Sequence, residues 1–441
     1  MERSSEIQRN AYLARLIAKR HNGMIKVVTG MRRCGKSYLL FKIFVDYLLE
    51  HGVQPQQIVQ IVLDDDQFAS LRNPLRLGEY IRARTEGGNT QYYVLIDEIQ
   101  YCAKVENPDL PGDFITFYNV LNGLLRREQV DVYVTGSNSR MLSSDILTEF
   151  RGRGDQVHVR PLTFAEYYEA KQSSLDFEDA FAEYLTYGGL PRVCLYSSDE
   201  EKLLYLKNLF EEVYIKDIVQ RNGLKSEEAI RDLMRVLASA IGSFTNPSRI
   251  EQTFKSRLNA TYTSKTIFNH ISLLKDSFLV EEARRYDVKG RRYIGANAKY
   301  YFTDTGLRNA LLNFRQTEQT HLMENVLYNE LLFRGYNVDV GIVEINERVS
   351  AAKNTRRQLE VDFVANKGNK KFYIQSALSL ESEEKSRQER RSLSRIDDSF
   401  KKIIVTKDRV KASLDESGFL ICNVKDFLLD RNLLDGADYP S

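Results

Sequence analysis

An α/β chain of several domains is predicted by three observations. Apolar strands recur in the first third of the chain, and polar residues and helical spacing follow them, as in a parallel sheet. The first of these strands runs into a glycine-bounded loop. The 441 residues are too many for one hydrophobic core, so roughly two to four domains are expected.

Composition narrows the class of protein. Hydrophobic residues make up 42% and charged residues 28% of the sequence, as in soluble globular proteins. The net charge of +2 gives no global indication of a nucleic-acid partner. The four cysteines are far apart, which argues against a zinc site or a disulfide framework. The sequence shows no signal peptide and no run of 18 apolar residues, so a cytoplasmic protein with no membrane partner is expected.

The loop at 30–37 has the spacing of a phosphate-binding loop. It reads Gly-x-x-x-x-Gly-Lys-Ser and lies between an apolar strand at 24–29 and a segment with helical spacing. Its glycines allow the backbone to turn N–H groups toward phosphate oxygens, and the next helix presents its positive end. Lys36 is expected to reach the β- and γ-phosphates, and Ser37 to bind Mg²⁺. The predicted nucleotide-binding residues are Gly30, Met31, Arg32, Arg33, Cys34, Gly35, Lys36 and Ser37.

A later apolar strand, 91–96, ends in Asp97 and Glu98. Asp97 is expected to hold Mg²⁺ together with Ser37, and Glu98 to orient and polarise the attacking water. Acidic residues also end many strands without such a role. The phosphate-binding loop upstream favours the catalytic interpretation, and Glu98 favours hydrolysis over binding alone.

Two further polar positions are candidates for catalysis. The strand 130–135 is followed by Ser137 and Asn138, either of which could sense the γ-phosphate; an ordinary turn is the alternative. Arg153, in the Arg-Gly-Arg segment 151–153, could neutralise charge on the transferred phosphoryl group as an arginine finger does. The alternative is a surface arginine pair.

In this order the motifs resemble those of predicted AAA+-type ATPases of bacteria and archaea that carry a nuclease-like C-terminal domain. The resemblance spans nearly the whole chain and rests on the segments 30–37, 95–100, 134–139, 151–153, 161–167 and 187–191. It implies ATP and Mg²⁺ as ligands and makes oligomeric rings one expected arrangement. The expected domains are a P-loop ATPase core at 1–175, a helical lid at 176–240, a winged helix-turn-helix at 241–312 and a PD-(D/E)xK nuclease-like α/β domain with a tail at 313–441.

The basic segment 284–299 is the candidate contact for DNA. Two helical patterns precede it, and its strands enclose Lys289-Gly290, as in a winged helix. Its cations could make salt-dependent contacts with phosphates, although a wing that docks on another domain is the competing interpretation. The candidate DNA-binding residues are Lys265 and Asn269 on the second helix and Arg284, Arg285, Lys289, Arg291 and Arg292 in the wing.

The C-terminal segment resembles a PD-(D/E)xK nuclease with a broken catalytic set. Its Glu-x-Asp strand supplies Glu360 and Asp362, but the next strand carries Gln375 and Ala377 where the pattern has an acid and a lysine. Nuclease activity is therefore not expected.

These observations predict a Mg²⁺-dependent ATP-binding protein with slow ATPase activity that acts as a nucleotide-controlled switch. Two alternatives stay open at this point. One is an ATP-gated, metal-dependent nuclease, and the other is a DNA-binding regulator in which ATP is only a structural ligand.

Overall fold

The computed structural model describes residues 7–88, 90–136, 152–171, 174–224, 226–258, 262–350 and 353–434. Backbone contacts divide the chain into two compact units. The N-terminal unit comprises the described residues up to Pro161 together with Asp276–Phe278. The C-terminal unit comprises Leu162–Lys275 and the described residues from Leu279 onward. The domain boundaries expected from the sequence at 175, 240 and 312 stay predictions.

The N-terminal unit is built on a parallel sheet of five strands in the order β2-β3-β6-β1-β7. Strands β1, β3 and β6 are buried along nearly their whole length because helices cover both faces of the sheet. A short antiparallel pair, β4–β5, lies outside it. The strands are β1 (Ile25–Thr29), β2 (Ile58–Val62), β3 (Tyr92–Asp97), β4 (Val105–Glu106), β5 (Phe114–Ile115), β6 (Val130–Gly136) and β7 (Gly154–His158).

Helices of the N-terminal unit pack on the two faces of this sheet. On one face, the side chains of Val27 and Val94 join a core with Leu77 and Leu121. On the other face, Phe44 packs against β6. The helices are α1 (Asn10–Ala18), α2 (Lys36–Tyr38), a π turn (Leu39–Ile43), α3 (Phe44–Glu50), α4 (Pro74–Arg84) and α5 (Phe117–Leu124), with 3₁₀ turns at Pro55–Gln57, Asp66–Arg72 and Ile99–Tyr101.

The C-terminal unit begins with a run of helices and ends with helices that flank a sheet. No helix among the described residues is long and apolar enough to cross a membrane. The first group is α6 (Phe164–Lys171), α7 (Phe177–Tyr187), α8 (Pro191–Leu195), α9 (Asp199–Asn208), α10 (Lys216–Asn222) and α11 (Glu227–Ser239), with a π turn at Leu209–Ile215. The others are α12 (Pro247–Thr253), α13 (Ser264–Asp276), α14 (Thr305–Leu311), α15 (Gln319–Phe333), α16 (Glu383–Leu393) and α17 (Val424–Leu429), with a π turn at Phe254–Leu258.

A mixed sheet of eight strands forms the rest of this unit, in the order β14-β15-β13-β12-β11-β10-β8-β9. The basic hairpin β8–β9 is part of it, because β8 pairs in parallel with β10 from Arg285–Val340 to Asp287–Ile342. The hairpin is therefore an edge of this sheet. The strands are β8 (Val280–Asp287), β9 (Arg292–Phe302), β10 (Asn337–Ser350), β11 (Lys353–Lys367), β12 (Lys370–Ala377), β13 (Lys401–Thr406), β14 (Ser413–Leu414) and β15 (Leu420–Asn423).

A buried carboxylate, Asp304, joins α7 to α14. It caps α14 by accepting from the Leu307 N–H at 2.9 Å, and its other oxygen accepts from the Gly189 N–H at 2.8 Å. A Cβ on Gly188, whose φ is +77°, would lie 2.3 Å from the Asp304 carboxylate, so only glycine fits there. Burial raises the pKa of Asp304 to about 6 despite these backbone hydrogen bonds. The Tyr-Gly-Gly-Leu-Pro segment 187–191 is thus explained by close packing on one carboxylate.

Replacing Asp304 by Asn is expected to remove a pH dependence of stability. Because the folded chain raises the pKa of Asp304, the folded state holds this proton more tightly than the unfolded state. The stability that the proton contributes is present below the ordinary value of 3.8 and is lost as the pH rises through about 6. Wild type should therefore lose thermal stability across this range relative to Asp304→Asn, measured as the unfolding midpoint at each pH.

Asp176→Asn is the matched control, because Asp176 also caps a helix but is exposed. In this variant the unfolding midpoint should change with pH as it does in wild type. If the midpoint of Asp304→Asn also changed with pH as in wild type, the role of Asp304 would be contradicted.

Candidate nucleotide-binding site

The loop at 30–37 leaves β1 and enters α2 through three left-handed backbone positions. Gly30 has φ +145°, Arg33 has φ +64° and Gly35 has φ +95°. A Cβ on Gly30 would lie 2.1 Å from the carbonyl oxygen of Val159, so this position has no room for a side chain. The loop therefore turns tightly against the segment that follows β7, as a phosphate cradle requires.

Lys36 is held inside the loop. Its ammonium donates to the carbonyl oxygens of Gly30 at 3.0 Å and Met31 at 2.9 Å, and only 4% of the residue is exposed. These bonds fix the charge beside the loop at the amino end of α2. An incoming phosphate would meet a cation that is already in place, which lowers the ordering cost of binding.

Asp97 lies at the carboxyl end of β3, buried beside the loop. Its carboxylate accepts hydrogen bonds from the hydroxyls of Thr135 and Ser37. Burial raises the pKa of Asp97, while these two bonds favour the charged form and oppose the shift. The predicted Mg²⁺ ligands Ser37 and Asp97 thus lie side by side.

Glu98 follows in a left-handed conformation, with φ +51° and ψ +53°. Such a conformation is uncommon for a residue other than glycine and is often found at functional sites. Its N–H donates to the Thr135 hydroxyl at 2.9 Å, and its carboxylate accepts from the Gln100 side chain. Glu98 is therefore held both at its backbone N–H and at its half-buried carboxylate.

Thr135 is a site residue that the sequence reasoning missed. Its hydroxyl accepts from the Glu98 N–H and donates to Asp97, so one oxygen fixes both acids. Thr135 is the next-to-last residue of β6, and the neighbouring β3 ends at Asp97. The sequence does show a hydroxyl residue near the end of an apolar strand. Only the strand order shows that this residue, Thr135, faces the acids at the end of β3.

Arg9 is a second missed residue. It is 4% exposed, and its guanidinium donates to the carbonyl oxygens of Cys34 at 3.1 Å and Arg160 at 2.8 Å. The Arg160 N–H in turn donates to the hydroxyl of Tyr12 at 3.0 Å. The segment before α1 thus clamps the phosphate-binding loop to the segment after β7.

The pKa of His158, the last residue of β7, is affected by positive charges around the loop. Its Nδ1 lies 3.1 Å from the hydroxyl oxygen of Thr29. Burial lowers the pKa of His158 well below 6.5, and the charges of Arg160 and Lys36 lower it further. Two cations at this end of the sheet suit a site that binds an anion.

Arg153 lies at the opposite end of the sheet from the loop. It precedes β7, and its carbonyl oxygen accepts from the N–H of Ile25, the first residue of β1. A five-residue strand, about 15 Å at ~3.3 Å per residue, separates that end from Gly30. This position disfavours Arg153 as a finger for the loop of its own chain, because the sheet is parallel and the loop is at its carboxyl edge. Ser137 and Asn138 lie outside the described residues.

Most of the candidate DNA-binding residues are on the surface. Arg285 is the exception, because its guanidinium donates to the Gln358 side chain at 2.7 Å and lies over the Phe244 ring at 5.2 Å. Two exposed aromatic residues accompany the cations. Phe268 on α13, which was not predicted as a contact, is 63% exposed, and Tyr293 in the hairpin is 59% exposed. The exposed candidates are Lys265, Asn269, Arg284, Lys289, Arg291 and Arg292.

Two family profiles of known proteins match parts of the chain. A family profile described as an AAA domain matches residues 22–168, and a domain of unknown function, DUF8612, matches residues 178–318. Together with the loop geometry, the first match assigns residues 22–168 to an AAA-type P-loop domain and confirms this coarser part of the prediction. The winged helix and the nuclease-like domain remain predictions.

The chain belongs to the same family as an uncharacterized protein of Haemophilus influenzae. The two are 30% identical over 427 residues, covering 96% of this chain and 98% of the relative. Uncharacterized protein MJ1544 of Methanocaldococcus jannaschii is 27% identical over 378 residues, 82% of this chain and 77% of that protein. The solved structure of the Aeropyrum pernix ORC1 protein in complex with DNA matches with a TM-score of 0.29 and 14% identity, over 70% of this chain and 94% of that chain. That score is too low to carry a function across.

Replacing Thr135 by Val should weaken Mg²⁺-dependent nucleotide binding. Valine keeps the shape of threonine but leaves the Glu98 N–H and the Asp97 carboxylate without their shared partner. Losing a hydrogen bond to a charged group costs about 1.5–3 kcal/mol, so ATP affinity in Mg²⁺ should fall at least about ten-fold. Titration with a fluorescent ATP analogue measures this loss.

The same titration in EDTA and with Thr135→Ser supplies the controls. Affinity without Mg²⁺ should stay near the wild-type value in both variants, and serine should retain most of the Mg²⁺ effect. Wild-type affinity of Thr135→Val in Mg²⁺ would show that the bridge has no role in binding the ion.

Proposed function

We propose that this protein binds Mg²⁺–ATP and hydrolyses it slowly, as a nucleotide-controlled switch. The observation that carries the proposal is the contact between Ser37 and Asp97 beside the loop, with Glu98 fixed to the same hydroxyl of Thr135. A loop that only bound phosphate would need neither acid. Two acids held in different environments support metal binding by one and water activation by the other.

Each residue of the loop has a distinct role in this proposal. The loop N–H groups and Lys36 bind the β- and γ-phosphates, and Ser37 and Asp97 hold Mg²⁺. Mg²⁺ would supply charge neutralisation on the phosphate oxygens. Glu98 accepts a hydrogen bond from water and orients it toward the γ-phosphate. Its half-buried position allows water to reach it.

The cation that neutralises charge on the transferred phosphoryl group is proposed to be Arg160 within the chain. Its backbone is bound by Arg9 and Tyr12 in the segment that packs against the loop, and its charge acts on His158. Arg153, at the other edge of the sheet, would serve instead as a finger toward the loop of a neighbouring copy. Sensing of the γ-phosphate by Asn138 stays a proposal, as do the helical lid at 176–240 and the other domain assignments.

Two substitutions separate binding from hydrolysis. Lys36→Ala removes the loop cation and should lower ATP affinity at least about 100-fold, since a charge-assisted contact to phosphate is lost. Glu98→Gln keeps the shape of the side chain and the hydrogen bond from the backbone N–H but removes the base. This variant should bind ATP normally and hydrolyse it at least about 100-fold more slowly. Phosphate release and equilibrium binding measure the two effects.

Glu50→Gln on α3 is a matched control, because Glu50 is exposed at the far end of the helix that follows the loop. This variant should leave ATP affinity and the rate of hydrolysis unchanged. Full hydrolysis by purified Glu98→Gln would remove Glu98 from the mechanism, and unchanged ATP affinity in Lys36→Ala would refute the site itself.

Contact of the basic hairpin with DNA is a second proposed property. The turn of the hairpin presents Lys289, Arg291 and Arg292, all exposed, beside the exposed ring of Tyr293. The nearest acid, Asp287, is buried; its carboxylate accepts from the Gly290 N–H and lies 3.8 Å from Nε of Arg292. An exposed cluster of cations next to an aromatic ring suits salt-dependent binding to phosphates.

Charge reversal tests this contact. Arg291→Glu with Arg292→Glu should lower affinity for duplex DNA and reduce the slope of log affinity against log salt by about two. Arg356→Glu is the control, since it is an equally exposed cation of the same unit on β11. If the double variant keeps wild-type affinity and slope, the hairpin turn is not a DNA contact.

A further inference from the structure

A buried lysine lies among three carboxylates in the C-terminal unit. Lys299 of β9 is 2% exposed, and its ammonium is 2.7 Å from Glu324 Oε1 and 2.5 Å from Glu360 Oε1. Glu324 comes from α15 and Glu360 from β11. Asp362, two residues beyond Glu360, lies on the same face of β11 and interacts electrostatically with all three groups.

The carboxylates are held in place by other groups as well. Glu324 Oε1 also accepts from the Tyr301 hydroxyl at 2.5 Å, and Asp362 accepts from the Ser376 N–H at 2.8 Å. Glu324 and Asp362 therefore have a fixed orientation. Acids this close together repel one another when they are charged, and a cation among them offsets that repulsion.

Oxygen ligands from carboxylates are the type that Mg²⁺ and Mn²⁺ prefer. Here an ammonium group of this chain has the position between Glu324 and Glu360. Burial alone would lower the pKa of Lys299, but Glu324, Asp362 and Glu360 outweigh burial and raise it, so the ammonium stays charged. With Lys299 in place, no group of three or more His, Cys, Asp or Glu side chains among the described residues is arranged to hold a metal ion.

We propose that Lys299 is the resident cation of this cluster and that it excludes a divalent ion from the three carboxylates. Its ion pairs then connect the edge strand β9 to Glu324 of α15 and Glu360 of β11. Lys299, although part of the basic hairpin sequence, is not available to a phosphate backbone. Its removal should turn the cluster into a divalent-cation site made of Glu324, Glu360 and Asp362.

The alternative is that a divalent ion binds in the native protein and the lysine moves aside. That outcome requires the ammonium to leave two carboxylates at 2.5–2.7 Å and to find another partner for a buried charge. The ion would also have to enter past Glu360, whose side chain is 37% exposed, because Glu324 and Asp362 are only 6% and 8% exposed. Both conditions favour the lysine.

Mn²⁺ binding to the nucleotide-free full chain tests the proposal. Wild type should show no Mn²⁺ binding that depends on Asp362. Lys299→Met should gain one site at least about ten-fold tighter than any weak binding of wild type, and Mn²⁺ should raise its unfolding midpoint. Lys299→Met with Asp362→Asn should lose both effects, and electron paramagnetic resonance of Mn²⁺ with thermal unfolding measures them.

Lys202→Met is the matched control. Lys202 is 3% exposed and lies between Glu183 at 2.9 Å and Asp199 at 3.2 Å, but Asp199 is on the surface. It should gain no site, because two carboxylates with one free in solvent do not enclose an ion. Asp362-dependent Mn²⁺ binding by wild type would overturn the proposal, and so would a folded Lys299→Met that gains none. Should Lys299→Met fail to fold, the comparison of wild type with Asp362→Asn still decides the question.

Discussion

The hydroxyl of Thr135 is the interaction on which the nucleotide site depends. It donates to the Asp97 carboxylate and accepts from the Glu98 N–H, so one oxygen fixes the positions of both acids at the carboxyl end of the sheet. Asp97 also touches Ser37, which ties the acids to the phosphate-binding loop. The parallel pairing of β3 with β6 makes this possible, because it brings the ends of both strands to one edge. A shift of either strand by one residue would turn the hydroxyl away from the acids.

The loop and the acids could be predicted from the sequence because their chemistry lies in consecutive residues. Gly30 to Ser37 and Asp97-Glu98 each follow an apolar strand, and the spacing alone indicates the chemistry. Thr135 and Arg9 could not be predicted in this way, because their roles depend on which strand and which loop face them. Arg153 illustrates the same limit: its sequence neighbours suggest a finger, but it precedes β7 and lies at the amino edge of the sheet.

Fold prediction had a similar limit in the C-terminal unit. The helices and the basic hairpin follow from periodicity and from the glycine at 290. That β8 pairs with β10 does not follow, since partners 55 positions apart leave no local signal. This pairing makes the hairpin an edge of the C-terminal sheet and brings Lys299 to the carboxylates of α15 and β11. A lysine counted among surface cations in the sequence is thus an internal counter-ion in the structure.

The acids at the loop and the acids around Lys299 differ in the partners they already have. At the loop, Asp97 accepts from two hydroxyls and is proposed to hold Mg²⁺, whereas in the C-terminal unit Glu324 and Glu360 already pair with a lysine. We therefore propose that turnover takes place at the loop and that the C-terminal unit gives the switching response. Hydrogen exchange of the full chain in Mg²⁺–ATP and in Mg²⁺–ADP tests this claim most directly. We predict that the loop and the ends of β3 and β6 are protected by both nucleotides, with additional amides of the C-terminal unit protected only by ATP. Identical exchange of the C-terminal unit in the two nucleotides would contradict the switch.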